Sequence, residues 1–133
     1  MQLPTDVEHA VRILQHAHKH ADNLQTTRNI ADATGIAYAW AMKLATQLAG
    51  KGLLASVMGR RGGYTLGRPA DKISLYDVYK AIEGDLQISV CIESGRGCTR
   101  SYPGACGRHM FFCEMQAALI EELSETSIAD LEV

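Results

Sequence analysis

The fold of this chain is indicated most clearly by residues 26–66, TTRNIADATGIAYAWAMKLATQLAGKGLLASVMGRRGGYTL. Thr26 and Thr27 can cap a short helix, because a hydroxyl at that position accepts a hydrogen bond from an unpaired backbone N–H. Gly35 then allows a tight turn, and a second helical run follows over 36–50. Small or apolar residues recur where two helices joined by such a turn must touch. The stretch therefore predicts a helix-turn-helix.

A glycine-rich hairpin is predicted immediately after the helix pair. Two short strand candidates, 53–57 and 64–66, flank the segment Met58-Gly-Arg-Arg-Gly-Gly63. Glycines at the tip permit the positive φ angles of a tight hairpin turn. Arg60 and Arg61 stand at this tip, where a wing can contact a phosphate backbone or the minor groove. The predicted fold is thus mainly α with a small β-hairpin wing, a winged helix-turn-helix.

Three further helices are predicted around this unit. Apolar residues recur at helical spacing over 7–21, and Thr5 or Asp6 can serve as the N-cap. A second run over 74–83 begins with a capping-box pattern. A third run, over 107–126, is long, and one small domain cannot cover its apolar stripe. We therefore expect the last helix to be the dimerisation element.

The charge of the 133-residue chain is unevenly distributed. Residues 1–70 carry eight Lys and Arg against four acids, a formal charge of +4, whereas residues 71–133 carry five against eleven, a charge of −6. This asymmetry suits one domain, 1–133, with two parts. Residues 1–70 form the DNA-binding part, and residues 71–133 form the part with the cysteine loop and the dimerisation helix.

No apolar run reaches the roughly eighteen residues needed to cross a bilayer, and no signal-peptide layout is present, so we expect a cytoplasmic protein without a membrane partner.

Polar residues of the second helix of the pair are the candidates for reading bases. Lys43, Thr46 and Gln47 form its groove-facing set, with Tyr38 near its start. Trp40 has two interpretations, packing on the DNA backbone or filling the core, and the core is favoured for an indole. The full set of predicted DNA contacts is Thr26, Thr27, Arg28, Tyr38, Lys43, Thr46, Gln47, Arg60 and Arg61.

Three cysteines and a histidine, Cys91, Cys98, Cys106 and His109, lie within nineteen residues of a Gly-rich stretch. Cytosolic thiols are normally reduced, so these cysteines and Cys113 are predicted to be ligands or redox groups rather than partners in two structural disulfides, which are the alternative. Three soft thiolates and an imidazole match either a tetrahedral zinc ion or a [2Fe-2S] centre. The gaps between the cysteines hold six and seven residues, wider than the close pairs typical of zinc sites. We rank an iron-sulfur cluster first, a metal-free or thiol-sensing loop second and zinc last.

The order of these features resembles the bacterial family of winged-helix transcriptional regulators that contains IscR, NsrR and CymR. The resemblance covers nearly the whole chain, and it is specific in the wing and the cysteine loop. The matching segments are 25–49, the junction Lys51-Gly-Leu-Leu54, the wing Gly59-Arg-Arg-Gly-Gly-Tyr64 with Leu66, the helix start Ile73-Ser-Leu-Tyr-Asp-Val78, the cysteine loop and the closing Ser127-Ile-Ala-Asp-Leu131.

The resemblance implies a homodimer on a palindromic operator in double-stranded DNA. It places helix 37–50 in the major groove and the wing arginines in the minor groove. It also implies a cluster held by Cys91, Cys98 and Cys106, although the purified protein can lack it. Met42 stands where the iron-sulfur-assembly regulators have a glutamate that helps to select operators, so the same operator is not expected.

The fourth ligand has three candidates. Cys106-Gly-Arg-His109 matches the Cys-x-x-His of the iron-sulfur-assembly regulators, whereas Glu8 matches the place from which other members supply a carboxylate across the dimer. The cysteine gaps here are longer than those typical of IscR. Cys113 follows His109 by four residues, and on a helix it is an alternative ligand, a resolving thiol or a small buried residue.

The sequence therefore predicts a DNA-binding regulator, a repressor, that senses iron-sulfur, nitric oxide or redox status. The alternative is a cluster-free regulator of the same fold, controlled by thiol oxidation or by a metabolic protein partner. An enzyme is not expected, because no oxyanion-hole or substrate motif accompanies Cys106 and His109.

Overall fold

The computed structural model describes residues 2–92 and 106–132. Within these ranges the helices and strands follow the predicted order, and the mainly helical fold with a two-stranded hairpin is confirmed. They are α1 (Thr5–Lys19), α2 (Thr27–Thr34), α3 (Tyr38–Gly50), β1 (Leu54–Val57), β2 (Gly63–Leu66), α4 (Leu75–Glu83) and α5 (Gly107–Glu125). Short 3-10 helices lie at Ala70–Lys72, Val90–Ile92 and Ile128–Leu131.

The core lies between α1, α2, α3 and α4. Each of these helices contributes aliphatic side chains with almost no solvent exposure, and burial of such side chains is the main favourable term in folding. The largest fully buried side chains are Ile13, Leu14, Ile30, Leu44, Leu48, Leu53, Leu54, Ile73, Val78 and Ile128. By contrast, α5 contributes no buried residue.

Contacts between neighbouring residues determine where α2 begins and ends. The Thr26 hydroxyl accepts a hydrogen bond from the Asn29 N–H at 3.1 Å and caps α2, and Gly35 ends it with φ 73°. The second helix begins at Tyr38, later than the predicted start at Ile36. Ile36 lies in the turn, and its side chain is buried in the core, so its apolar character reflects packing rather than helix formation.

The predicted caps of the first helix are wrong. Pro4 occupies the N-cap position of α1, and Thr5 and Asp6 lie in its first turn. The Pro4 carbonyl accepts a hydrogen bond from the Val7 N–H at 3.0 Å. The Asp6 carboxylate is therefore not used as a cap and is available for another element.

The start of α4 has the predicted capping box. The Ser74 hydroxyl accepts from the Asp77 N–H, and the Asp77 carboxylate accepts from the Ser74 N–H, both at 3.0 Å. The chain after α5 returns to this point, where the Ile128 N–H donates to the Ile73 carbonyl at 2.9 Å. Ile128 is fully buried, so the end of the chain is anchored in the core.

The two strands form an antiparallel hairpin in which Leu54 pairs with Leu66 and Val57 pairs with Gly63. No helix in the part of the chain described by the structure is long and apolar enough to cross a membrane.

Candidate nucleic-acid interface and metal centre

Helix α3 has one buried face and one exposed face. Ala41, Leu44, Ala45 and Leu48 are buried against the core. The rest of its surface carries large side chains that remain exposed, which are Tyr38, Trp40, Met42 and Lys43. A helix held rigidly by one face with a polar and aromatic face outward can enter a major groove.

A cation-π contact joins the two helices of the pair on this side. The Arg28 guanidinium of α2 lies 4.7 Å from the centroid of the Tyr38 ring at the start of α3. Such a contact is worth about 0.5–1 kcal/mol at an exposed site and restricts both side chains. Two of the predicted DNA contacts are thus in direct contact with each other.

The side chains of Thr46 and Gln47, two further predicted contacts to bases, are constrained by the fold. The Thr46 hydroxyl donates to the Met42 carbonyl at 2.8 Å, so its oxygen remains as an acceptor. Gln47 is half-buried, and its side-chain oxygen is buried with no hydrogen-bond partner among the described residues. A buried acceptor without a partner costs about 1–3 kcal/mol, so this amide gains by turning outward.

Trp40 does not fill the core. The residue is 37% exposed and its indole contacts α1, so the core position favoured from sequence is wrong. The indole N–H donates to the Asp6 carboxylate at 2.6 Å, and the His9 ring packs edge-on against the indole with centroids 4.3 Å apart. An indole has an apolar body and one polar N–H, and a carboxylate at the helix boundary satisfies the N–H without burying it.

The wing is built so that its two arginines are exposed at the tip. Gly59 adopts φ 110°, a conformation that side-chain-bearing residues rarely adopt. A Cβ on Gly62 would lie only 2.2 Å from the Val57 carbonyl oxygen. The tip therefore requires glycine at both positions, and Arg60 and Arg61 between them are exposed to solvent.

Cys91 and His109 are brought together across eighteen residues. The His109 Nδ1 atom lies 2.8 Å from the Cys91 carbonyl oxygen and 3.6 Å from the Cys91 Sγ atom. On the other side of the ring, Nε2 lies 3.5 Å from the Cys113 Sγ atom. All three side chains are half-buried, and Cys106 forms the N-cap of α5 one turn before His109. Cys98 lies outside the described residues.

The hydrogen bonds of His109 determine which nitrogen could bind a metal. A carbonyl oxygen only accepts, so Nδ1 carries the proton, and Nε2 of the neutral ring holds the lone pair. A histidine anchored through Nδ1 to a backbone carbonyl is typical of metal sites. The chemistry of these donors therefore fits a metal or cluster, although the described residues contain no group of three or more His, Cys, Asp or Glu side chains arranged to hold one.

The candidate fourth ligands differ in their surroundings. His109 and Cys113 are in contact with each other on one turn of α5. Glu8 is exposed on α1. A different pair, Asp6 and His9, was not predicted from the sequence and contacts Trp40 of α3. Their spacing of three residues on a helix was the available signal, since it places both on one face.

Comparison with known proteins identifies the family of this chain. Residues 3–132 match the family model Rrf2, described as "Iron-dependent Transcriptional regulator". The chain is 32% identical over 132 residues to Protein aau3 of Rhizobium meliloti (strain 1021), covering 98% of this chain and 84% of that protein.

Solved structures show the same fold. The structure of CymR (YrzC), the global cysteine regulator of B. subtilis, superposes with a TM-score of 0.78 at 23% identity, over 98% of this chain and 95% of that one. T. potens IscR superposes with a TM-score of 0.77 at 20% identity, over 98% of this chain and 85% of that one. The chain therefore belongs to the Rrf2 family, whose members are transcriptional regulators and not enzymes.

Proposed function

We propose that this protein is a sequence-specific DNA-binding repressor that acts as a homodimer on a palindromic operator in the cytoplasm. The observation that carries the proposal is the exposed face of α3 beside a wing whose tip presents Arg60 and Arg61. In this assignment the chain is one domain, with residues 1–70 contacting DNA and residues 71–133 supplying the cysteine loop and the dimer contacts.

The proposed DNA contacts divide into two kinds. Tyr38, Lys43, Thr46 and Gln47 on α3 face base edges in the major groove, where hydrogen-bond patterns distinguish all four base pairs. The wing arginines enter the minor groove, and the start of α2, with Thr26, Thr27 and Arg28, contacts phosphates. The phosphate contacts fix the position of α3, and the base contacts select the sequence.

The proposed dimer interface is the exposed apolar face of α5. Met110, Phe111 and Met115 are all more than one third exposed on this helix. Apolar side chains grouped on one long helix are typical of a surface that another copy covers. Two recognition helices related by a two-fold axis would meet half-sites about 10 bp apart, or a near multiple.

Selection of duplexes from a randomised pool tests the DNA-binding function directly. We expect the wild-type protein to enrich one palindromic sequence, and Gln47→Ala to lose discrimination between that duplex and random DNA. Thr126→Ala is a control outside α3, because Thr126 follows α5 and its hydroxyl donates to the Glu122 carbonyl. Failure of the wild type to enrich any duplex would reject the function.

The proposed signal is the state of an iron-sulfur cluster, a [2Fe-2S] cluster in the first instance. A bound cluster would supply reversible electron transfer and sensitivity to oxidants or nitric oxide. Cys91, Cys98 and Cys106 would hold it as thiolates, with His109 as the fourth ligand through Nε2. The Cys91 carbonyl orients that imidazole by accepting from Nδ1. Because the proposed ligand His109 lies on α5, cluster binding would bias the spacing of the two α3 helices in the dimer.

A second candidate is a cluster-free regulator of the same fold, controlled by thiol oxidation or by a metabolic protein partner. The contacts of His109 with the Cys91 Sγ atom on one side of the ring and the Cys113 Sγ atom on the other favour it, because they bring two thiols, the groups that oxidants modify, to one imidazole. Anaerobic purification followed by an ultraviolet-visible spectrum and iron and sulfide analysis separates the two. A coloured protein with stoichiometric iron supports the cluster, and a colourless protein without iron supports the thiol.

A further inference from the structure

Two residues of α1, Asp6 and His9, contact side chains on the exposed surface of α3. The two oxygens of the Asp6 carboxylate contact different side chains of α3: Oδ1 accepts from the Trp40 indole N–H at 2.6 Å, and Oδ2 lies 3.5 Å from the Lys43 ammonium. The His9 ring, one turn after Asp6, contacts the indole ring in a T-shaped arrangement. Its Nδ1 atom is buried without a hydrogen-bond partner in the described ranges, so the ring serves here as a packing surface.

The two contacts of Asp6 differ in strength. A short hydrogen bond to an ionised carboxylate is about twice as strong as one between neutral groups. The Lys43 pair is weaker, because its distance is long and the side chain of Lys43 is 60% exposed, where water screens the charges. The carboxylate therefore acts chiefly on Trp40 and fixes the orientation of its indole.

We propose that Asp6 is a positioning residue for sequence discrimination, because it holds the Trp40 indole in a fixed orientation on the DNA-facing side of α3. The inference rests on the proposed DNA-binding function. A side chain immobilised before binding loses little conformational entropy in the complex and rejects a base that does not fit it. Trp40 then selects among duplexes through shape and apolar contact, and Asp6 acts through it without touching DNA.

The negative charge of Asp6 and its hydrogen bond to Trp40 are expected to affect DNA binding in different ways. Removal of an acid near the DNA-facing surface strengthens binding to any duplex, because DNA is a polyanion. Removal of the indole's acceptor instead weakens discrimination. Asp6→Asn removes the charge and keeps a side-chain oxygen for the indole, whereas Asp6→Ala removes both. The two effects of Asp6 can therefore be separated with one pair of variants.

The test uses the full-length protein, a duplex selected by the wild type from a randomised pool and a random duplex. We expect Asp6→Ala to reduce the ratio of the two affinities about tenfold, comparable to one mismatched base pair. We expect Asp6→Asn to stay within roughly threefold of the wild-type ratio, because an amide oxygen still accepts from the indole. Asp22→Ala, which removes an exposed acid in the turn after α1, reports the effect of charge alone.

Trp40 is the single tryptophan of the chain, so its fluorescence reports the proposed contact without DNA. We expect acrylamide to quench Asp6→Ala more strongly than wild type, Asp6→Asn or Asp22→Ala. Trp40→Phe is expected to lose discrimination as Asp6→Ala does, and the double variant to lose no more than either, since one interaction is removed in all three.

The outcomes separate the two proposals. A wild-type protein that enriches no duplex overturns the DNA-binding function and this inference with it. A wild-type protein that enriches a duplex, with an unchanged affinity ratio in a folded Asp6→Ala variant, overturns this inference alone. Additive losses in the Asp6→Ala and Trp40→Phe double variant also overturn it, because they would show that the two residues act independently.

Discussion

Gln25 and Tyr64 exchange two backbone hydrogen bonds, one from the Gln25 N–H to the Tyr64 carbonyl at 2.9 Å and one in the reverse direction at 2.8 Å. Gln25 immediately precedes the N-cap of α2, and Tyr64 lies in β2 of the wing. The wing and the helix pair are therefore fixed to each other through the backbone. Their relative position does not depend on flexible side chains.

Gly63 makes this approach possible, and its replacement tests it. A Cβ on Gly63 would lie 2.7 Å from the Gln25 carbonyl oxygen, a backbone atom that cannot move alone. We expect Gly63→Ala to lower the free energy of unfolding by about 2 kcal/mol, measured by urea denaturation at one protomer concentration. Gly50→Ala is the matched control, because a Cβ there meets nothing within 4 Å. Equal stability of the two variants would show that the strands can separate from α2 at little cost.

The wing arginines should control the salt dependence of DNA binding. Each phosphate contact releases bound counterions, so Arg60→Ala and Arg61→Ala should each flatten the dependence of log affinity on log salt by up to about one unit. Fluorescence anisotropy across a salt series measures this slope. Lys72→Ala removes a charge of the same sign from an exposed position outside the wing and should leave the slope unchanged. Identical slopes of log affinity against log salt in the double arginine variant and the wild type would show that the wing arginines do not contact DNA phosphates.

Each of the three predicted cysteine ligands should be required for iron. We expect Cys91→Ala, Cys98→Ala and Cys106→Ala to lose visible absorbance and iron after identical anaerobic reconstitution, because a missing thiolate leaves an open coordination position. Iron and sulfide analysis provides the measurement. Stoichiometric iron in all three variants would show that the ligands lie elsewhere.

The fourth ligand is decided by three substitutions compared side by side. We expect His109→Ala to lose the cluster or alter its spectrum, because Nε2 is the nitrogen left with a lone pair. Glu8→Ala should keep a normal spectrum, and Cys113→Ser should keep iron while changing the surroundings of His109. A normal His109→Ala protein together with cluster loss in Glu8→Ala would assign the ligand to the carboxylate.

The exposed face of α5 should determine the oligomeric state. Phe111 is 58% exposed, and a buried carboxylate at its position would be strongly unfavourable in a dimer interface. We expect Phe111→Glu to be monomeric by light scattering, whereas Lys72→Glu, a change of charge on the surface away from α5, should behave as the wild type. An unchanged mass for Phe111→Glu would place the interface on another surface.

The Ser127–Asp130 capping box should contribute to the acid sensitivity of the fold. The backbone N–H of Ser127, and then its hydroxyl, lower the pKa of the Asp130 carboxyl from its ordinary value of 3.8. A pKa that is lower in the folded state stabilises the protein above the unfolded value, and this stabilisation is lost as the pH falls through the folded value. An NMR titration should find the Asp130 pKa below 3.8, and Ser127→Ala should raise it. A titration at or above the ordinary value in the wild type would contradict the capping geometry.

Features set by neighbours along the chain could be predicted from the sequence. The Ser74–Asp77 capping box, the Thr26 cap and the glycine turns depend on atoms within a few residues, and the structure has them where the pattern indicated. The start of α3 is predicted at Ile36, two residues before its observed start at Tyr38. Ile36 is apolar because it is buried in the core, and an apolar residue before a helix fits the helical periodicity equally well.

The kinds of elements, their order and the residue types available to DNA and to a metal follow from the sequence. Which of those residues contact one another depends on how the helices pack. Asp6 reaches Trp40 across thirty-four residues, and His109 reaches Cys91 across eighteen. Periodicity specifies which face of a helix is apolar, but it does not specify which helices pack together or how they are rotated. Packing of the buried core sets those angles, and for that reason the partners of Asp6 and His109 emerged only from the folded chain.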